Sequence, residues 1–444
     1  MPKRNLAWML VIVLIALLFW QLPSTVARRD TVYRTFEPLV DIRAEILKNY
    51  VEEVDEKDLI RGAIEGMLQR LDPYSTYFGP EQMADLNRDT TGSFGGIGIL
   101  IDIKDGWLTV ISPIEDSPAF RAGVMAGDRL IEIDGESTKG MSMSDAVNKL
   151  TGKPGTKVTI TVRHELKNEQ ATLTLTRDNI KIFSVKGWQR RTGAEWDYLI
   201  DPEQKIGYIR VSKFMPDTAK TLDAAVKKLQ SEGLKALILD LRLNPGGLLE
   251  SAIEVADLFL EDGVIVSTKG RWSQKKDSVA RKEGTYPNFP MAVLVNRYTA
   301  SAAEIVAGAL RDHKRAVVIG ERTFGKGSVQ NVIRLEDQQG AIKLTTAYYY
   351  LPNGECIHKT RQAEATGKWG VEPLIEVRLS EEELVAVINA RRDADIIRPA
   401  TQATTVASQP RSGLIIDRQI DQALKILKVE LNAPRGEASA RRAG

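Results

Sequence analysis

From residue 205 to residue 350, short apolar runs alternate with segments of helical spacing. Ile206 to Val211, Lys235 to Arg242, Pro290 to Asn296 and Ala316 to Gly320 have the length and composition of strands buried on both faces. Ala302 to Leu310 carries the small and apolar residues of a helix packed closely on such a strand, and Thr345 to Leu351 reads as a further, tyrosine-rich strand. This alternation predicts stacked βα units. Upstream, Phe36 to Tyr50 and Lys57 to Leu71 have the apolar spacing of two helices, and Lys157 to Arg163 that of a strand. Asp178 to Lys205 reads as a connector and the lysine-rich Trp272 to Pro287 as a mobile surface loop. Near the end, 400–411 reads as a polar linker, Asp417 to Leu431 as an amphipathic helix, and Ala433 to Gly444 as disordered.

The first residues change the picture of compartment. Lys3 and Arg4 precede a continuous apolar run from Leu6 to Trp20, which Gln21-Leu22-Pro23 ends. Fifteen helical residues cover only about 22 Å of a hydrocarbon core of about 30 Å, so the run spans a bilayer only with the residues up to Ala27 included. Thr25-Val26-Ala27 is a passable cleavage site, but Arg28 and Arg29 behind it disfavour export and cleavage. The expectation is an uncleaved signal anchor with the remaining chain outside the cytoplasm, secreted if the segment is cut. Basic residues flank both ends, so charge alone does not set the orientation.

Composition mainly excludes. With 444 residues the chain holds two to three domains, and 61 basic against 59 acidic side chains give a net charge of +2, no general field for nucleic acid. The single Cys356 excludes an internal disulfide, and Cys356 with His358 supplies too few ligands for a structural zinc, so neither metal nor cofactor is expected. Only three histidines exist, His164, His313 and His358. A Ser-His-Asp triad would need one of them, and His313 sits in a charged helix end that reads as solvent-facing.

Candidate chemistry lies at the ends of the predicted strands. Ser301 follows Tyr298-Thr299-Ala300 at a strand-to-helix turn, where unpaired N–H groups at the helix start can stabilise an oxyanion. Lys326 stands between Gly325 and Gly327, and a lysine serves as base near neutral pH once burial disfavours its ammonium. If the following stretch is extended, Lys326, Ser328 and Gln330 share a face, and the amide can orient the amine. Asn244-Pro245-Gly246-Gly247 opens a helix after the strand 235–242, so the N–H groups of Gly246 and Ala302 are candidates for an oxyanion hole. On local sequence alone, a helix-capping role for Ser301, completed by Glu304, and a solvated turn for Lys326 are the more ordinary readings.

The stretches Asp240 to Gly247, Ala300 to Glu304 and Gly325 to Gln330 together resemble the carboxy-terminal processing peptidases, or tail-specific proteases, with the resemblance running from about residue 35 to about residue 430. It implies Ser301 as nucleophile, Lys326 as general base and Gln330 as the group that holds the lysine. It further implies a crotonase-like βα core with an N-terminal helical segment that in relatives helps form dimers. The family pattern is broken at Cys356 to Trp369, which is longer than the usual turn and is expected to keep clear of the catalytic residues.

Phe94-Gly95-Gly96-Ile97-Gly98-Ile99, followed by Asp116-Ser117-Pro118-Ala119, Ala126-Gly127-Asp128 and Ile133-Asp134-Gly135, resembles a PDZ domain. Such a domain adds a peptide as a strand and captures its terminal carboxylate on backbone N–H groups. That role falls here to Gly96, Ile97, Gly98 and Ile99. Ile97, Ile99 and Leu100 with Ala146, Val147 and Leu150 would line the pocket for the peptide's last side chain, and Arg163 would couple occupancy to the protease site. The resulting division is 1–29 signal peptide or anchor, 30–90 helical segment, 91–178 PDZ domain, 179–400 protease core, and 401–444 linker, helix and tail. The expected function is an extracytoplasmic, membrane-anchored serine endopeptidase acting on polypeptide tails, with an adaptor protein and a homodimer left open as partners. Two other readings stay open: a catalytically silent PDZ scaffold, and an enzyme on the same core acting on an acyl thioester.

Overall fold

Period and capping set the helices of the first unit. The computed structural model describes residues 11–14, 17, 34–83, 92–164, 169–190, 195–272, 274–286, 289–336, 340–397 and 417–433, and the chain divides into units 1–77 and 78–444. In the first unit a helix over 34–49 precedes α1 (Glu56–Gln69), whose N-terminus is capped by the Asp55 carboxylate accepting from the Lys57 N–H at 2.8 Å. Arg43 pairs with Glu56 and joins the two helices. Most of the apolar run Leu6 to Trp20 and the Thr25-Val26-Ala27 site lie outside the described residues, and among those described no helix is long and apolar enough to cross a membrane.

The second unit begins with a small β domain. Strands β1 (Ser93–Gly96), β2 (Ile99–Lys104), β3 (Trp107–Pro113), β4 (Arg129–Ile133), β5 (Lys157–His164), β6 (Glu169–Thr176) and β7 (Asp178–Lys181) surround helix α2 (Met143–Leu150). The sheet runs β2-β3-β4-β5-β6, which leaves β2 at an edge, and β1 pairs antiparallel with β7. The expected connector from Asp178 therefore begins as a strand. Ile97, Leu108, Val110, Leu130, Ala146, Leu150, Ile160 and Val162 form this domain's core.

The rest of the unit is built on a parallel sheet. Its parallel strands are β8 (Ile206–Val211), β9 (Ala236–Asp240), β12 (Met291–Val295), β13 (Val317–Gly320) and the short β16 (Ile375–Glu376), in that spatial order, and the short segments Val185–Lys186 and Leu199–Asp201 pair antiparallel with β8. Helices α3 (Thr218–Ser231), α4 (Leu249–Asp257) and α5 (Ala302–Asp312) connect them. Alternation sorts the side chains. Ile209, Leu237, Leu239 and Val293 face these helices, while Tyr208, Ile238, Ala292 and Leu294 face the opposite layer, where Ile420, Ala423 and Leu427 pack from a helix over Arg418–Asn432. Covering on both faces explains the nearly continuous apolar runs of these strands.

A second sheet flanks the first. It joins β10 (Val264–Gly270), β11 (Lys276–Val279), β14 (Ser328–Arg334) and β15 (Ala341–Tyr350), with β15 paired antiparallel to both β14 and β10. Strand β11 falls within the segment expected to be a loop. Its polar Lys-Asp-Ser-Val sequence pairs along the edge of β10 through its backbone, a contact that leaves no apolar signature. The chain continues through a short helix, Arg361–Thr366, to α6 (Glu381–Asp395) and α7 (Arg418–Asn432). The 400–411 linker and the tail from 434 lie outside the described residues.

Candidate active site

Three neighbouring strands deliver the site. Strands β9, β12 and β13 lie side by side and parallel, and their carboxyl ends run into Asp240 to Gly247, Val295 to Ser301 and Gly320 to Lys326. In open parallel sheets ligands collect at this edge. The loops are fastened to one another by hydrogen bonds. The Thr299 hydroxyl donates to the Leu241 carbonyl at 2.9 Å, the Ala300 N–H to the Asn244 carbonyl at 2.9 Å, and the Phe324 N–H to the Thr299 carbonyl at 3.0 Å.

Ser301 caps the junction between β12 and α5 with φ 56° and ψ −118°. This region strongly favours glycine, and a side-chain-bearing residue held in it costs about 1–3 kcal/mol. The surrounding contacts hold it there, with Ser301 only 8% exposed. Gly246 (φ 101°) packs against it: a Cβ on that residue would stand 2.8 Å from Ser301 Cβ and 3.0 Å from the Ala302 nitrogen. Ser301, Gly246 and Ala302 thus share one small space. The Gly246 N–H is engaged, donating to Asn244 Oδ1 at 2.8 Å.

Glu304 is the residue whose importance the sequence understates. Its carboxylate accepts from the Ser301 N–H at 2.8 Å, as a capping box requires, and also from the Gly325 N–H at 2.7 Å, the Lys326 N–H at 2.8 Å and the Thr323 hydroxyl. One fully buried side chain therefore fixes the backbone of both Ser301 and Lys326. Burial pushes its pKa up to about 7, against the pull of those four donors. The spacing Ser-x-x-Glu signals only the first of these bonds. The others span 19 to 22 residues and depend on the parallel neighbours β12 and β13.

Burial lowers the pKa of the Lys326 amine, the Lys343 ammonium on β15 lowers it further, and Glu304 opposes both. The Gln330 amide donates to Ser328 Oγ at 2.7 Å. A register irregularity between Val329 and Gln330 interrupts the alternation expected from Lys326 through Ser328 to Gln330. The long segment from Cys356, expected to touch none of the candidate catalytic residues, packs on the two glycines that flank Lys326. The Lys359 N–H donates to the Gly325 carbonyl at 2.9 Å, and a Cβ on Gly327 would lie 2.4 Å from the His358 nitrogen. Only glycines on either side of Lys326 admit this packing. His313 ends the helix that starts after Ser301, about 18 Å away along α5 at 1.5 Å per residue, and its Nε2 lies 2.8 Å from the Val264 carbonyl.

In the β domain, Gly96 ends β1, Ile97 is buried in the core, the Gly98 carbonyl accepts from the Ser117 hydroxyl at 2.9 Å, and Ile99 opens the edge strand β2. Ala146 and Leu150 of α2 join Ile97 in that core. Leu100 departs from the expected pocket, being half exposed and lining a cavity with Arg210, Leu243 and Ile388. Arg163 is exposed on β5, opposite Arg129.

Residues 205–377 match Peptidase family S41, residues 109–164 a PDZ domain, and residues 23–82 the activating protease CtpB N-terminal domain. The chain is 38% identical over 422 residues to the carboxy-terminal-processing protease of Bartonella bacilliformis, covering 92% of this chain and 91% of that one. It is 38% identical over 349 residues to the carboxy-terminal processing protease CtpA of Bacillus subtilis, covering 78% and 70%. Among solved structures, the photosystem II D1 C-terminal processing protease aligns at 31% identity with a TM-score of 0.43, over 76% of this chain and 86% of that one. With its S41 segment, its PDZ domain and relatives matched over 91% and 70% of their length, the chain belongs to the carboxy-terminal-processing proteases, and it is a serine protease.

Proposed function

We propose that this protein is a Ser-Lys endopeptidase that cuts polypeptides near their carboxyl termini. Lys326 takes the proton of Ser301, Ser301 attacks the scissile carbonyl, and water later releases the acyl-enzyme. Gln330 orients the amine, and the N–H groups of Ala302 and Gly246 receive the oxyanion, the latter by exchanging its bond to Asn244 Oδ1. The crotonase-like description of the core belongs to the same reading. The PDZ loop Gly96 to Ile99 captures the substrate's terminal carboxylate while the peptide adds to the free edge of β2. The apolar N-terminal run anchors the protein with its protease outside the cytoplasm, and the helical unit supports a homodimer or an adaptor.

The observation that carries this reading is Ser301 itself. A buried serine sits in glycine-type backbone at a strand-to-helix turn, beside Gly246, and one carboxylate ties it to a lysine whose amine is destabilised as an ammonium. A serine that merely caps a helix needs no such backbone. The test is cleavage of an unstructured protein by wild type, Ser301→Ala and Lys326→Ala. Both substitutions are expected to lower kcat at least about 10³-fold. Cleavage that survives both would refute the mechanism and leave the scaffold reading.

A further inference from the structure

The hairpin of β10 and β11 gathers charge that the rest of the chain lacks. Residues 269–282 carry six basic side chains and one acidic, a local charge of +5 in a chain whose total is +2. Lys269, Arg271, Lys275, Lys276, Arg281 and Lys282 are all exposed. Asp277, the one acid, is already engaged, accepting from the Ser267 hydroxyl at 2.6 Å and pairing with Lys275 at 3.0 Å. Arg281 reaches Asp257 at 3.5 Å, whereas Lys269 and Lys276 have no anionic partner among the described residues. Between the strands stands Trp272, 89% exposed, with the Arg271 guanidinium 5.0 Å from the centre of its ring. Lysine on an edge strand discourages pairing with other chains, and that accounts for Lys276 on β11. It does not account for a bare indole, a group that favours boundaries where one end is apolar and the other wet.

We propose that this hairpin is a membrane contact, in which Trp272 enters the headgroup layer of an anionic bilayer while Lys269, Arg271, Lys275 and Lys276 pair with lipid phosphates. Tryptophan settles at the level of the headgroups, and clustered Lys and Arg are drawn to the negative surface potential of anionic lipid. The stack of Arg271 on Trp272 brings a cation and an apolar ring to the same depth. A small anion would need donors converging around it, but these side chains are exposed at the end of a hairpin. A nucleic acid strand would need aromatic faces for successive bases, and residues 269–282 offer one. A broad anionic surface engages all of them at once. The contact also orients the protease. Lys269 lies opposite Tyr348 of β15, and Tyr348 opposite Ser328 of β14, so the hairpin continues the sheet that carries Gln330, and lipid contact sets that sheet against the bilayer. The proposal goes beyond the peptidase reading and takes from it only the N-terminal anchor, which keeps a bilayer within reach.

The test uses the full-length chain reconstituted into vesicles of phosphatidylcholine, alone or mixed with phosphatidylglycerol, with bromine on the acyl chains near the headgroups. Bromine quenches only nearby tryptophan, so the difference between wild type and Trp272→Phe reports position 272 among the seven tryptophans of the chain. Quenching at 272 is expected in the anionic vesicles. It should be missing from the neutral ones and vanish in about 1 M salt, where the Debye length falls to about 3 Å. Lys276→Gln should lower the docked-to-free ratio about fivefold and Lys269→Gln combined with it about 25-fold, each cation near the surface counting for about fivefold. Both lysines are exposed, so the unfolding midpoint should stay at the wild-type value.

Equal quenching at 272 in neutral and anionic vesicles overturns the contact, as does quenching in neither, or quenching that the double variant keeps in full. Inorganic phosphate or a single-stranded oligonucleotide that shifts the emission of Trp272 without vesicles makes the hairpin a site for soluble anions and overturns the lipid reading. Extraction of the chain from anionic vesicles by alkaline carbonate refutes the N-terminal anchor alone, since salt-sensitive quenching at 272 supports the hairpin with or without it.

Discussion

Two fully buried carboxylates lie at the carboxyl edge of the same sheet, and their surroundings push them in opposite directions. Asp240, ending β9, faces charges: Arg242 at 2.7 Å and Arg391 pair with it, and the Tyr208 hydroxyl donates to it at 2.7 Å. Burial alone would raise its pKa, but the two guanidinium groups outweigh burial and hold it well below the usual carboxylate range. Glu304, at the start of α5, meets no cation at hydrogen-bond distance among the described residues. Its four donors are three backbone N–H groups and a hydroxyl, and burial prevails, raising its pKa to about 7. The difference separates two uses of a buried charge. Asp240 fastens helices to the sheet, since Arg242 also grips Asp417 and Gln419 at the start of α7. Glu304 holds the Ser301 and Lys326 loops in register and remains titratable near neutral pH.

Removing each charge should sharpen that contrast. Asp240→Asn takes the paired anion from Arg391 and leaves Arg242 only Asp417, and breaking a buried pair in this way costs about 3–5 kcal/mol. Because the Asp240 pKa is depressed, its contribution is present above the unfolded value of about 3.9 and lost only as pH falls through the lower folded value. The loss on substitution should therefore be the same at pH 5 and pH 8, measured by denaturant unfolding. A penalty that changes across that range would show that Asp240 is not permanently ionised.

Glu304→Gln should cost less and behave differently with pH. Each oxygen of the carboxylate accepts two of the four donors, so an amide in either orientation points an NH₂ at two of them. About 2–4 kcal/mol of stability is expected to go, and kcat to fall roughly 10²-fold as Ser301 and Lys326 lose their common anchor. The folded pKa of Glu304 is raised, so its proton-linked stability is fully present below the unfolded value of about 4.3 and declines as pH rises through about 7. The stability difference between wild type and Glu304→Gln should accordingly shrink between pH 5 and pH 8. Parallel curves would mean that the four donors, not burial, govern the group.

Much of this arrangement can be read from the chain. Strands β8, β9, β12 and β13 are buried on both faces and therefore announce themselves as apolar runs, and the three motifs at their ends are local in sequence. What escapes the sequence is contact between distant segments. Glu304 reads as a capping residue because only its bond to Ser301 is local, and the packing of His358 and Lys359 on the glycines beside Lys326 depends on how a polar loop folds. Strand β11 escapes for a similar reason, since pairing along an edge needs backbone groups and not apolar side chains. The sequence neighbours of Leu100 point it to the peptide pocket, and strand alternation turns it toward the protease core instead.

The smallest expected effect concerns the backbone of Ser301, and it separates conformation from chemistry. At φ 56° and ψ −118°, any Cβ is penalised, and alanine is penalised as much as serine. Ser301→Gly and Ser301→Ala both remove the hydroxyl and should both be inactive. Only glycine relieves the strain, and part of that relief is offset by the greater freedom of glycine in the unfolded chain. Ser301→Gly should therefore be more stable than Ser301→Ala by about 1 kcal/mol, an increment visible in parallel unfolding titrations. Equal stabilities would mean that the serine is unstrained in solution. The turn would then be an ordinary helix start, and the strongest sign that this serine is held for catalysis, and not for capping, would be gone.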